Sequence, residues 1–561
     1  MKEILIILAL SLSFQGVIIA TPENTATRDT VIVQAFTFRD PSPEGWNAPY
    51  RGKFMFPMGP LKWEKIVMVK TLKCDSATKG DQYPCGEWDY LTHTFVFKPK
   101  GDTVEAFQLG SFVTPYGKRL KMGGEQGWTW YYDVTDYAPL LRGLTEIESG
   151  NNQELLDLKF LFIPGTPPRD VISIENLYPF GTYNYGQLAD DSVLKQIEVV
   201  LNPDAHGFLL RARISGHGHE GPRNCCEWDS KTHTYYIDDW DHYRWNVWKD
   251  CGFNPIYPQG GTWPFDRAGW CPGTKVDEYD FDLTGKYHGG DTLLIDYGIE
   301  PYRDNSERNG EFRMSHQLIS YSPPNFSIDA RIDDIIAPSD KDDYSRINPI
   351  CSNPVIVIRN TGRLPLKSLI INYGIHDGQH SQFVWKGFLL FMETEEVLLP
   401  DPDWKGMTEG CTFQVTIDKP NNMQDKYPAN NIMTSIIRMP QLLPESFILH
   451  IETNDLGRAR DNTCQITDVN GRVLFERFYF EDSTTYNDRI FLEEGCYEFR
   501  LSDSQEDGMV RHWWNYYDNP DLVGKNGRIE IWSTEGDTLQ RFPADFGQEL
   551  LFRFRTGNWP R

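Results

Sequence analysis

The residues best suited to chemistry lie in two similar segments, which start at positions 85 and 225. The first is Cys85-Gly-Glu-Trp-Asp-Tyr-Leu-Thr-His-Thr94 and the second is Cys225-Cys-Glu-Trp-Asp-Ser-Lys-Thr-His-Thr234, identical at seven of ten positions. A carboxylate can give or take a proton, and an indole offers a flat apolar face. The combination therefore suits an enzyme that acts on sugars. The alternative is a strand-edge motif that is repeated for packing.

Both segments lead into alternating aromatic and β-branched residues, Phe95-Val-Phe97 and Tyr235-Tyr-Ile237. This alternation predicts a strand that is entered from a loop. Similar short runs between Gly, Pro, Asn and Asp recur along the chain, so we expect an all-β protein. The predicted units are two sandwiches at 29–190 and 191–328, an immunoglobulin-like module at 340–440 and a C-terminal β-sandwich or jelly-roll module at 445–561.

The N-terminus has the pattern of a secretory signal peptide over residues 1–20, with one Lys, an apolar run and then small residues. We therefore expect a secreted, periplasmic or cell-surface protein. Export makes the ten cysteines candidates for disulfides. Spacing favours local pairs, and it leaves Cys225 and Cys226 either as a vicinal bridge or as thiols. The predicted pairs are Cys74–Cys85, Cys251–Cys271, Cys351–Cys411 and Cys464–Cys496.

Charge and apolar content exclude two classes of partner. The net charge of −25 would repel nucleic-acid phosphates and anionic membrane surfaces. No other segment is apolar enough to predict a membrane span. The 17 Trp residues are many for a soluble protein, and exposed ones would suit stacking on sugar rings. The oligomeric state is left open by the sequence.

Three motifs make the first half of the chain resemble the peptide-N-glycosidase F family. They are Ile214-Ser-Gly-His-Gly-His219, Glu227-Trp228 with Thr232-His-Thr234, and Asp266-Arg-Ala-Gly-Trp-Cys-Pro-Gly273. The resemblance covers about residues 29–325. It implies two adjacent eight-stranded jelly rolls with a cleft between them. It also implies hydrolysis of the amide between asparagine and the first N-acetylglucosamine of an N-linked glycan, which gives aspartate and a glycosylamine. N-glycoproteins or glycopeptides would be the substrates, and no cofactor or metal is implied.

The resemblance assigns roles to particular residues. Asp89 matches the principal catalytic carboxylate and Glu227 a second essential acid. Arg267 would hold a substrate oxygen, or would pair with a carboxylate and shape the cleft. The expected substrate-binding residues are Trp88, Trp228, Arg267, His217 and His219.

The sequence departs from the family at several of its functional positions. A family Glu falls on Ile163, and the Arg that follows the catalytic Asp is Tyr90. A family Trp is His217, and a family Cys is Asp229. These changes leave a second hypothesis open, in which the chain is a catalytically inactive glycan-binding or adhesion protein that uses the same cleft.

His217 and His219 also allow a metal-binding interpretation. On a strand they would share a face, and with His233 or Glu227 they would suit Zn or Cu. We predict no metal, because His219 and His233 match family positions that form hydrogen bonds. His93, the counterpart of His233 in the first segment, is likewise expected to be a buried strand residue.

Overall fold

A computed structural model describes residues 30–45, 48–59, 62–77, 83–150, 154–220, 222–238, 240–302 and 310–560. The predicted signal peptide lies outside these residues. Most of the regular secondary structure in the described chain is antiparallel β-sheet, which confirms the all-β prediction. Within the described part, no helix is long and apolar enough to cross a membrane.

The first sandwich consists of strands β1 to β8 in two sheets with a large apolar core between them. The strands are β1 (Val31–Phe36), β2 (Tyr50–Phe56), β3 (Trp63–Cys74), β4 (Leu91–Lys100), β5 (Thr103–Val113), β6 (Trp128–Asp133), β7 (Gly143–Ser149) and β8 (Glu154–Pro164). Their orders are β1-β8-β3-β6 and β2-β7-β4-β5. On β8 the even-numbered residues 154 to 162 are buried and the odd ones are partly exposed, as expected for a strand with one face on a core.

The second sandwich repeats this topology with strands β9 to β16 and its own core. The elements are β9 (Val171–Asn184), α1 (Tyr185–Ala189), β10 (Ile197–Val200), β11 (Gly207–His217), β12 (Lys231–Ile237), β13 (Trp240–Val247), β14 (Glu278–Asp282), β15 (Thr292–Ile299) and β16 (Glu311–Tyr321). Their orders, β9-β16-β11-β14 and β10-β15-β12-β13, match the first sandwich position for position. Both sandwiches are therefore jelly rolls.

The two sequence repeats occupy equivalent places in these jelly rolls. Each leads directly into the fourth strand of its sandwich, β4 or β12, as the alternating pattern predicted. The strand β9 pairs with β16, so it is part of the second sandwich although it precedes the predicted boundary at residue 190. The remaining domain limits stay predictions.

The third sandwich has the two-sheet, seven-stranded arrangement of an immunoglobulin-like module, with sheets β17-β18-β21 and β20-β19-β22-β23. Its strands are β17 (Ala330–Ala337), β18 (Val355–Asn360), β19 (Leu366–Ile375), β20 (Ser381–Leu389), β21 (Thr394–Leu398), β22 (Thr412–Asp418) and β23 (Ile432–Ile436).

The fourth sandwich has sheets β24-β32-β29-β26-β27 and β28-β25-β30-β31. Its strands are β24 (Gln441–Leu443), β25 (Ser446–Glu452), β26 (Asn462–Asp468), β27 (Val473–Arg477), β28 (Thr485–Phe491), β29 (Gly495–Asp503), β30 (Arg528–Trp532), β31 (Thr538–Phe542) and β32 (Glu549–Thr556). From β25 onward, the strand order is that of a jelly roll in circular permutation, because the chain starts and ends two strands away from the corresponding points in the first two sandwiches.

Two of the predicted disulfides are present and two are wrong. Cys74–Cys85 and Cys251–Cys271 form as expected, and Cys225 bonds Cys226. Cys351 bonds Cys496 and so links the third and fourth sandwiches, while Cys411 and Cys464 are thiols. The predicted Cys464–Cys496 pair fails because Cys464 lies opposite Leu501. Five residues of strand, about 17 Å, separate that position from Cys496.

Candidate active site

The loop that carries Asp89 is held against a second loop of the first sandwich, residues 114–117. The Cys74–Cys85 disulfide closes its start. Gly117 N–H donates to the Gly86 carbonyl at 3.0 Å, and Tyr90 N–H donates to Thr114 Oγ1 at 2.9 Å. These bonds place Asp89 at the edge of the first jelly roll that faces the second.

The loop at 114–117 in turn touches residues 259–262 of the second jelly roll. Gly260 N–H donates to the Tyr116 carbonyl at 2.8 Å. Gly261 has a φ of +60°, and a Cβ there would lie 1.7 Å from the Tyr116 hydroxyl oxygen. Only glycine meets both demands. The buried Tyr116 side chain is thus clamped at the junction of the two sandwiches.

Glu227 reaches the same junction from the second repeat. Its N–H donates to the Gly218 carbonyl at 3.0 Å, and its own carbonyl accepts from Ala268 N–H at 3.0 Å. Because Ala268 follows Arg267, this pairing brings the Glu227 side chain beside the arginine. Arg267 Nε donates to Glu227 Oε1 at 3.2 Å.

Arg267 is the buried centre of the site, with only 1% of the residue exposed. Nη1 donates to the Phe265 carbonyl at 2.6 Å, and Nη2 donates to the Thr262 carbonyl at 2.9 Å. The guanidinium carbon lies 4.2 Å from the Trp228 ring centroid and 4.9 Å from that of Trp270. This geometry favours the second of the two predicted roles, in which Arg267 pairs with a carboxylate and shapes the cleft.

Both carboxyl groups lie in the field of Arg267, and the Asp89 charge also acts on Glu227. Burial raises the pKa of Asp89, and the positive charge of Arg267 partly offsets this. Burial also raises the pKa of Glu227, where Arg267 lowers it and the Asp89 charge raises it further. The pKa of Tyr116 is raised by burial and by the nearby Asp89 charge. Burial and the Asp89 charge thus favour the protonated form of Glu227, whereas the Arg267 charge favours the ionised form of both carboxyl groups.

The predicted substrate-binding residues have different surroundings. Trp88, beside Asp89, is 61% exposed and leaves its indole open to a ligand, whereas Trp228 lies against Arg267. His219 is exposed and lies close enough to Glu227 to contribute to lowering the pKa of that carboxyl group. His217 stacks on Trp270 with ring centroids 5.2 Å apart and shares a hydrogen bond with Ser215.

The histidines of the metal-binding alternative have separate partners. His233 is buried on β12, shares a hydrogen bond with the Tyr297 hydroxyl, and has a pKa lowered by burial to about 3. His93 on β4 shares bonds with Ser111 and Gln108. Both are strand residues with internal partners, as predicted. Among the described residues, Asp250, Asp266 and Glu506 form a group of three possible metal ligands.

The fourth sandwich also contacts this site. Its buried Asp545 accepts a hydrogen bond from Trp263 Nε1 at 2.8 Å and pairs with Arg119. The Trp263 carbonyl accepts from Arg267, and Arg119 also donates to the Gln259 carbonyl at 2.9 Å. Asp545 therefore connects Trp263 of the second sandwich with Arg119 of the first, and Arg119 in turn contacts Gln259.

Two cavities lined by described residues lie away from this junction. One of about 510 Å³ is lined by residues of the first three sandwiches, and its charged groups pair with each other, as Arg211 does with Asp280. Another, of about 540 Å³, lies along Phe95 and Phe180. We place the functional site at the Asp89–Glu227 junction because of its chemistry and not its volume.

Several residues of the site were missed from sequence. Tyr116, Thr262 and Asp545 stand in segments that read as turns, and their roles depend on contacts between distant parts of the chain. In the pairing of β3 with β8, Ile163 lies opposite Lys65. Glu154, at the other end of β8, lies opposite Cys74. Its equivalence to the family Glu stays a prediction.

These features define a class: a pair of jelly rolls whose repeated loops bring two carboxyl groups and a buried arginine to their junction. A family model described as "Peptide-N-glycosidase F, C terminal" matches residues 184–319. The chain is 28% identical over 314 residues to peptide-N(4)-(N-acetyl-beta-D-glucosaminyl)asparagine amidase F of Elizabethkingia miricola. That alignment covers 52% of this chain and 83% of the relative. Over its first two sandwiches the chain is therefore similar to the peptide-N-glycosidase F family, in agreement with the resemblance of its motifs.

Two solved structures are similar over the same share of the chain. PNGase F of Flavobacterium meningosepticum, described as a glycosylasparaginase, is 26% identical. The match covers 52% of this chain and 96% of that one, with a TM-score of 0.44. PNGF-II is 16% identical, with 52% and 65% covered and a TM-score of 0.40.

Proposed function

We propose that the protein is a secreted amidase that cleaves the bond between asparagine and the first N-acetylglucosamine of N-linked glycans. The observation that carries the proposal is the meeting of Asp89 and Glu227, one from each repeat, in the field of one buried arginine. The amidase of Elizabethkingia miricola supports the choice of substrate. N-glycoproteins or glycopeptides are the substrates, and the products are aspartate and a glycosylamine.

The chemistry needs one ionised and one protonated group. Asp89 as carboxylate takes a proton from water while the water oxygen bonds to the amide carbon. The carbon–nitrogen bond then breaks, and the nitrogen receives a proton from the carboxyl group of Glu227. Burial and the Asp89 charge favour the proton on Glu227, and the positive charge of Arg267 favours the ionised form of Asp89. Arg267 holds Glu227 in place, and Trp88 offers its open face to the sugar.

The test is glycan release from a denatured N-glycoprotein and from a short glycopeptide. We expect release, with asparagine converted to aspartate by mass spectrometry, and its loss in Asp89→Ala. Asp102→Asn is the matched control, because Asp102 is an exposed acid of a turn in the same sandwich. Full activity of Asp89→Ala would contradict the assigned role.

A second function is a glycan-binding or adhesion protein without catalysis. Exposure of Trp88, together with an Arg267 that donates entirely to protein acceptors, favours it. Failure of the wild-type protein to release high-mannose, complex and core-fucosylated glycans would replace the first function by this one.

A further inference from the structure

The fourth sandwich carries a group of aromatic side chains next to the candidate active site. Residues 512–517, His-Trp-Trp-Asn-Tyr-Tyr, form a short turn between β29 and β30, which we call the aromatic turn. The proposed reaction uses none of these residues. Their position is set by two kinds of contact, one inside the fourth sandwich and one to the second.

Trp514 is the inner member and is fixed on two sides. Its ring meets the edge of Phe265 at 5.6 Å and stacks on His512 at 4.5 Å. The Phe265 carbonyl accepts from Arg267 at 2.6 Å, so one residue links the aromatic turn to the centre of the candidate site. His512 is itself held by Asp507, with Nε2 and Oδ2 2.7 Å apart.

The outer members face solvent. Trp513 is 40% exposed, Tyr516 is 65% and Tyr517 is 90%. The rings of Tyr516 and Tyr517 meet edge to face, with centroids 5.2 Å apart, so each can leave a face open. Clustered exposed aromatic residues mark an interaction site, and Trp and Tyr offer wide, rigid contact surfaces with a polar group at one end.

The fourth sandwich is docked firmly enough to keep this turn in place. Asp545 bonds Trp263 of the second sandwich, and Gln548 N–H donates to the Gly252 carbonyl at 3.0 Å. A Cβ on Gly547 would lie 2.5 Å from that same carbonyl oxygen, so the two backbones touch. The sandwich that carries the aromatic turn is therefore in direct contact with the segment that leads to Arg267, and Trp514 adds the contact with Phe265.

We propose that the aromatic turn is a glycan-binding subsite that receives the outer sugars of the N-linked oligosaccharide. This inference rests on the proposed function for the position of the innermost sugar. Sugar rings present apolar C–H faces that stack on aromatic rings and hydroxyl groups that bond a Tyr hydroxyl or indole N–H. The net charge of −25 disfavours an anionic ligand and is compatible with a neutral oligosaccharide.

The test combines Trp513→Ala, Tyr516→Ala and Tyr517→Ala in one variant. Tyr479→Ala is the matched control, because Tyr479 is 89% exposed in the same sandwich, between β27 and β28. Two glycopeptides are compared, one with a complete N-glycan and one trimmed to its two inner N-acetylglucosamines. We expect KM for the complete substrate to rise about tenfold with kcat unchanged, and no change for the trimmed one. Equal effects on both substrates, or none on either, would overturn the proposal.

Calorimetric titration with the free oligosaccharide separates this inference from the proposed function. If the wild-type protein binds the oligosaccharide and the triple variant does not, the subsite stands even where neither releases glycan. A wild-type protein that fails to bind it removes the subsite, whatever the amidase assay shows.

Discussion

Replacing Arg267 by Met is the sharpest test of the site's electrostatics. The variant keeps a long apolar side chain between Trp228 and Trp270 but removes the charge that Glu227 faces. Arg267 is a buried cation that bonds the Glu227 carboxyl group and offsets the burial of the ionised Asp89, and loss of such a partner costs about 3–5 kcal/mol because the Asp89 charge stays buried without it. The Glu227 side chain retains 17% exposure, so we expect the lower part of that range.

Arg267→Met should also shift the pH profile of kcat/KM. Arg267 lowers the pKa of both Asp89 and Glu227 against the effect of burial. Without it both pKa values rise, and the acidic limb of kcat/KM moves to higher pH because the base ionises later. Arg267→Lys retains the positive charge but not the planar guanidinium group. Its acidic limb of kcat/KM should therefore shift less than that of Arg267→Met, and its loss of stability should be smaller.

The assay is urea-induced unfolding of each variant at pH 7, followed by kcat/KM for a glycopeptide across pH. Arg223→Met is the matched control, since Arg223 is exposed and Asp229 also pairs with Lys231. We expect the control to lose about 0–1 kcal/mol and to keep its pH profile. Arg267→Met with wild-type stability and an unmoved acidic limb would refute the reasoning.

Two further predictions concern the C-terminal half. Burial raises the pKa of Asp545 to about 6, above about 3.9 in the unfolded chain, so its contribution to stability is present at low pH and is lost as pH rises from 4 to 6. An asparagine at this position cannot titrate. The free energy of unfolding of Asp545→Asn minus that of the wild type should therefore increase by about 3 kcal/mol between pH 4 and pH 7. A difference that stays constant with pH would contradict this. Non-reducing peptide mapping should find Cys351 linked to Cys496, with Cys411 and Cys464 alkylated as thiols; a Cys351–Cys411 peptide would contradict the structure.

The sequence predicted the parts of this molecule that local pattern controls. Alternation of apolar residues gives strands directly, and the repeat of ten residues revealed two related sandwiches before any topology was known. Cys74 and Cys85 could be paired because only ten residues separate them. The repeat singled out the carboxylates beside each Trp, and the resemblance to the peptide-N-glycosidase F family selected Asp89 and Glu227 among them.

The sequence could not predict what depends on the packing of one sandwich against another. Trp263 and Asp545 are 282 positions apart, and no local pattern marks them as partners. Trp514 approaches Phe265 only once the fourth sandwich has docked. The Cys351–Cys496 disulfide spans 145 positions and was not predicted for the same reason. Spacing favours the nearest cysteine, whereas the packing of the third sandwich against the fourth decides the actual partner.

The two repeats also explain why each supplies a different carboxylate to the junction. In the second repeat Asp229 pairs with the buried Lys231 and with Arg223, so its charge is neutralised within the loop. The first repeat has Leu91 where the second has Lys231. Asp89 therefore lacks that lysine and lies in the field of Arg267, the cation that also holds Glu227. The two cations that neutralise Asp229, Lys231 and Arg223, correspond to Leu91 and Tyr83 in the first repeat, so the local ion pairs of Asp229 have no counterpart at Asp89.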